Sequence, residues 1–157
     1  MHTNIPEHAG AILMMNLGHL QRSRPSMGSW LVYGLGTDNQ NLPGFVSICP
    51  PLINGGTSNY GTAFLPSVYQ GTAIGDIKTQ VKNARIGNIA NPRIGTSLQR
   101  DQLNLLQSLN RDLAVRNPRD SRIDGVIESY ELAFRMQSEL PRVMDLSAET
   151  KATQEMY

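Results

Sequence analysis

The chain has 157 residues, 39% of them hydrophobic, a mean hydropathy of −0.30 and a formal net charge of +1. That length is enough for one domain with a core, and the near-neutral charge gives no electrostatic case for nucleic acid or an anionic membrane. A single cysteine, Cys49, excludes an internal disulfide, and the longest apolar run, Ala9 to Met15, is far too short to span a bilayer.

Six charged side chains precede residue 79 and 21 follow it. The expected organisation is one incomplete domain over 1–157, with a charge-poor α/β part over 1–78, a loop over 79–95 and a helical part over 96–157. The N-terminus lacks the basic start and apolar core of a signal peptide. Pro6 and Glu7 suit the first turn of a helix, with Ala9 to Leu17 as its body and Gly18 as its end; a strand is the rival for so short an apolar run. His19 to Ser23 reads as a loop.

Ser26 is placed to cap a second helix, whose apolar body is Trp30, Leu31 and Tyr33 and whose end falls at Gly34 or Gly36. Asn39-Gln40-Asn41 forms a polar segment. Leu42 to Cys49, apolar and flanked by prolines, reads as a strand covered on both faces, stopped by Pro50-Pro51. Helix, short loop and buried strand together are the grammar of an α/β domain. Cys49, at the end of that run, reads as a buried, inert thiol.

Residues 54–61 are turn-rich and read as a surface loop, since the spacing is not that of a phosphate loop and no lysine follows. A strand-like piece is expected at Val68 to Tyr69, and a loop over 74–92. The strongest helical signal follows Gly95. Thr96 or Ser97 is the expected cap, with Leu98, Gln102, Leu105, Leu106, Leu109 and Leu113 on the packed face and Arg100, Asp101, Asn104, Gln107 and Arg111 facing water. Asn117-Pro118 stops it, and Asp120 or Ser121 caps the next helix, striped by Ile123, Val126, Ile127, Tyr130, Ala133 and Phe134. Glu128 and Glu131 are in reach of Arg135 along that helix. The two helices read as an antiparallel hairpin, interrupted at Pro141 and followed by a short helix from Asp145.

No HExxH, GxSxG, CxxC or paired-carboxylate pattern occurs, so the chain offers no self-contained catalytic set. The bland reading of His2, His8 and His19 is surface or structural; that of Arg24 is an ion pair, against a sharper role as an anion contact near a helix N-terminus.

The blocks RPSMGSWLVYGLG, NQNLPGFV, FLPSVYQGT and SYELAFRMQ resemble DUF1501, an uncharacterised family of exported proteins related to the alkaline-phosphatase and sulfatase superfamily. The resemblance covers nearly the whole chain but the middle of a family member. It implies a partial alkaline-phosphatase/sulfatase-like sheet segment followed by a helical hairpin. The parent would be a metal-dependent hydrolase of sulfate or phosphate esters, exported to the periplasm or cell surface. A divalent metal ion is expected in the full-length parent and no cofactor in this fragment; the expected partner is the remainder of the parent chain. His8, Arg24 and Asn41 are the candidates to face the substrate pocket. An Asn-His pair of the family reads Glu7-His8 here. The alternative is a non-catalytic binding or scaffolding protein at the cell surface.

Overall fold

The structure, a computed structural model, describes residues 2–20, 23–51, 53–80 and 83–156. Helix α1 spans His8–Leu17. Glu7 lies just outside its first turn as the cap, its carboxylate accepting from the Ala9 and Gly10 amides at 2.6 and 2.7 Å. The Gly10 amide first, then that of Ala9, holds the Glu7 carboxyl below its ordinary pKa. Gly18, at φ 66°, ends the helix in the left-handed conformation.

Helix α2 spans Met27–Leu35, capped by Ser26, and Gly36 at φ 73° turns the chain away. Its buried side is small and polar. Ser29 is fully enclosed, its hydroxyl donating to the Gly61 carbonyl at 3.1 Å and lying 2.9 Å from that of Ser26. The expected apolar body faces outward instead: Trp30, Leu31 and Tyr33 are each about half exposed. Trp30 meets Tyr33 and Phe64 edge-to-face, and Tyr33 meets Tyr69 in the same way.

The expected eight-residue strand is shorter and more open than the apolar run suggested. Strand β1 is Val46–Ile48, with both of those residues exposed. Phe45 turns its ring against Gly28 and Gly71, where an added methyl would lie within 3 Å of it. Cys49 leaves the strand at φ 46°; it is half-buried, with its thiol 3.4 Å from the Thr79 carbonyl. Strand β2 is Thr72–Ile74 and pairs parallel to β1, Val46 opposite Thr72 and Ile48 opposite Ile74.

The connection between the strands holds two 3-10 turns, Gly56–Tyr60 and Ser67–Tyr69. The first was expected as a surface loop. It packs under α1 and buries Asn59 and Tyr60, because the Asn59 amide donates to the Asn54 carbonyl at 2.8 Å and fastens the turn. The second takes the place of the expected strand at Val68 to Tyr69; Pro66 before it and its own 3-10 bonding exclude a ladder.

Helix α3 spans Thr96–Arg116 and α4 spans Ser121–Val143, packed as the expected hairpin. Gly95, not Thr96 or Ser97, occupies the α3 cap position, with no side-chain bond. Asp120 caps α4, accepting from the Arg122 amide. Pro141 does not interrupt α4, which continues to Val143; near the end of a helix a missing amide removes only one late bond. A 3-10 turn at Leu146–Ala148, capped by Asp145, precedes the short α5 at Lys151–Met156, where the Thr150 hydroxyl accepts from the Thr153 amide.

The inward side of α3 differs from expectation, although Asp101, Asn104 and Arg111 are exposed as expected. Leu103 and the fully enclosed Gln107 lie inside, while Leu98, Leu105, Leu109 and Leu113 are half exposed or more. Elsewhere the buried apolar side chains are scattered: Leu17, Tyr60, Ala84, Met136 and Leu140. The accessible surface is 11116 Å², against about 7,800 Å² for a compact chain of this mass by size scaling. The architecture is mixed, mainly helical with a small parallel sheet, and compatible with α/β.

Candidate functional site

Gly36 releases the chain from α2 into the 37–44 loop, which faces α4 across a groove of about 430 Å³. The loop is built by its own polar side chains. Thr37 Oγ1 accepts from the Asn39 amide, and Asn39 Oδ1 accepts from the amides of Asn41 and Leu42 at 2.8 and 3.0 Å. This fixes the Gln40 carbonyl toward α4, where Arg135 Nε donates to it at 2.8 Å. Asn39, Gln40 and Tyr69 line one side; Glu128, Glu131 and Arg135 line the other.

Glu131 is the most constrained group in the groove. Arg100 of α3 reaches it with both terminal nitrogens at 2.9 Å, and Gln107 Nε2 donates to it at 3.2 Å and to the Ile127 carbonyl at 2.8 Å. The Arg100 guanidinium also lies 4.8 Å from the centre of the Phe134 ring. The Arg100 bonds, reinforced by Gln107, pull the Glu131 carboxyl down to about 2 despite its burial. Glu131 is therefore an anion across the physiological range. Both of its oxygens are held by Arg100, so its charge is balanced within the hairpin. Among the described residues the arrangement holds no nucleophile hydrogen-bonded to a base.

The three sequence candidates occupy different places. His8 opens α1 and is exposed. Arg24 is exposed ahead of α2, while Asn41 is exposed on the groove loop beyond its far end; a nine-residue helix is about 13 Å long. No hydrogen bond or ion pair joins the three among the described residues. None of Asn41, Arg24 and His8 is among the residues that line the groove, although Asn41 lies between two that do, Gln40 and Leu42. Nor do three His, Cys, Asp or Glu side chains stand together as a metal site among the described residues. These residues do not fit a resident metal by themselves, and no step through one follows from them.

Sequence reasoning missed Arg100, Gln107 and Glu131 as a set, having placed the first two in water and paired the third with Arg135. The available signal was the seven-residue spacing of Arg100 and Gln107, which puts both on one side of α3.

The family model for a protein of unknown function, DUF1501, matches residues 1–157. No curated protein and no solved structure matches the chain.

Proposed function

Because the chain belongs to the DUF1501 family, we propose that it is the central part of a metal-dependent hydrolase of sulfate or phosphate esters, related to alkaline phosphatases and sulfatases and exported to the periplasm or cell surface. On this reading residues 1–157 are one incomplete domain, and its principal partner is the remainder of the parent polypeptide. The nucleophile and metal ligands belong to that remainder. The motif resemblance supports the chemistry. The observation that carries the incomplete-domain reading is the three-residue parallel pair β1–β2 with an accessible surface far above that of a compact chain.

Within the assembled protein His8, Arg24 and Asn41 face the pocket. Arg24, ahead of the N-terminus of α2, offers a forked guanidinium to the anionic ester group. His8 lies beside substrate or metal, and the Asn41 side chain supplies an amide hydrogen bond. A divalent metal ion, when bound, would supply charge stabilisation of the transferring group; the residues of this chain bind and orient.

The test is to express the complete reading frame that encodes these residues and to assay 4-nitrophenyl sulfate and 4-nitrophenyl phosphate, with and without chelator. Hydrolysis of one ester that chelation abolishes and divalent metal restores is expected. Arg24→Ala should then lower kcat/KM by about tenfold or more, consistent with loss of a charge-assisted contact. No turnover of either ester by metal-loaded protein refutes the hydrolase reading and favours the binding or scaffolding role.

A further inference from the structure

We propose that the groove between the 37–44 loop and α4 is a binding site for a small organic carboxylate, with Arg135 as its anion contact. The inference goes beyond the hydrolase reading and involves neither Arg24 nor His8.

The Arg135 guanidinium is anchored on one side only. Its Nε donates to the Gln40 carbonyl at 2.8 Å, and the turn closed by Asn39 holds that carbonyl in place. Among the described residues no hydrogen bond or ion pair engages the two terminal nitrogens of Arg135. Those nitrogens form the outer edge of a planar fork, whose parallel N–H groups match the two oxygens of a carboxylate. A guanidinium already fixed at Nε presents that edge with less loss of freedom on binding than a loose side chain.

The carboxylates nearby do not occupy this edge. Glu131, one turn before Arg135, has each oxygen bonded to a terminal nitrogen of Arg100 at 2.9 Å. Glu128 lines the groove two turns before Arg135, about 10 Å away along the helix axis. Asp38 belongs to the loop but is not among the lining residues. With Glu131 balanced by Arg100 and Glu128 at a distance, Arg135 is the cation left to a ligand. One cation with a carboxylate in the same groove favours a singly charged anion over a doubly charged one.

The remaining lining describes the body of that ligand. Val32, Leu42, Val68, Ile127 and Leu132 supply apolar wall. Tyr69 adds a ring braced edge-to-face by Tyr33 at 5.3 Å. Asn39 Oδ1 accepts from two amides, which leaves its Nδ2 to donate elsewhere. A volume of about 430 Å³ lies within the roughly 300–1,000 Å³ of small-molecule sites, which join apolar walls to a few placed polar groups. A compact apolar body carrying one carboxylate meets each of these features.

The experiment titrates protein from the complete reading frame, its arginines isotope-labelled for side-chain NMR, with benzoate, benzyl alcohol and phenyl phosphate. Arg135→Lys identifies the Arg135 signal by removing it. In the wild type, benzoate should shift that signal and saturate at a Kd at least about tenfold below that of the neutral benzyl alcohol, with phenyl phosphate weaker than benzoate. Equal affinity for benzoate and benzyl alcohol overturns the proposal, because the groove then reads no charge. Tighter binding of phenyl phosphate also overturns it and assigns the site to a dianion. So does a benzoate shift at Arg24 with Arg135 unmoved, which places the carboxylate in the candidate substrate pocket. These comparisons use wild-type protein, so a variant that fails to fold does not decide them. Turnover is not part of the readout, and a protein that hydrolyses no ester can still bind benzoate at Arg135.

Discussion

Replacing Glu131 by glutamine should loosen the α3–α4 hairpin, and the structure sets the scale. The carboxyl is held at about 2 against an ordinary 4.5, a difference worth about 3 kcal/mol as a ceiling at roughly 1.4 kcal/mol per pKa unit. About a quarter of the side chain is still in water and a third of Arg100 is, so screening brings the expected contribution to about 2 kcal/mol. The sign follows from the depressed folded value. The stabilisation is complete above the unfolded carboxyl pKa near 4.5 and is lost as pH falls toward about 2. Hydrogen exchange of the α3 amides around Leu103 and Gln107 reports the local opening. Glu131→Gln should speed exchange about 30-fold at pH 6, the equivalent of 2 kcal/mol. Wild-type protection, corrected for intrinsic exchange, should decline between pH 5 and 2.5 more steeply than that of the variant. An effect below about threefold at pH 6, or identical pH profiles for the two proteins, refutes the account of Glu131 as the electrostatic clamp of the hairpin.

Three further outcomes are expected. Gly28→Ala places a methyl about 2.5 Å from the Phe45 ring and should destabilise the α2–β1 unit by roughly 1–3 kcal/mol, the range for overpacking, measured by denaturant unfolding of the full reading-frame product; a neutral substitution would show that Phe45 can move aside. Ser29→Ala removes the enclosed hydroxyl bonded to Gly61 and should cost about 1–2 kcal/mol in the same assay, whereas Ser29→Thr, with an added methyl in a fully enclosed site, should not restore the loss. Leu109→Asp puts a charge on the outward leucine face of α3; in the full reading-frame product it should reduce soluble folded yield severalfold, and wild-type yield would show that this face stays in water.

Local patterns fixed the helices well. The caps at Ser26 and Asp120 and the stops at Gly18 and Asn117 lie within one or two residues of where composition put them, because a cap is a matter of one side chain and its nearest amides. The strand was less legible. An apolar run bounded by prolines reads the same whether it pairs over eight residues or three, and only the turn at Cys49 and the diversion of Phe45 toward Gly28 and Gly71 show that it is three. The α3 stripe was recognised but its inward side was not. Periodicity defines two faces; which one meets α4 depends on Glu131, 31 positions from Arg100, beyond any i,i+4 rule. The groove has the same character, since Gln40 and Arg135 are joined by folding alone. The blocks that identified the family, by contrast, are contiguous in the chain and visible without a structure.

The bond from Arg135 to the Gln40 carbonyl spans 95 positions, whereas the contacts that build the hairpin span 20 to 31. Closing a flexible loop of 95 residues costs about 4 kcal/mol of chain entropy, more than one exposed hydrogen bond returns. The order of assembly follows from this difference. The hairpin zips early from near neighbours, and α4 then serves as the preformed seat to which the earlier-synthesised half is delivered, Pro66 against Gly125 and Gln40 against Arg135. The groove comes into being only when the two halves dock, so any condition that separates them erases it.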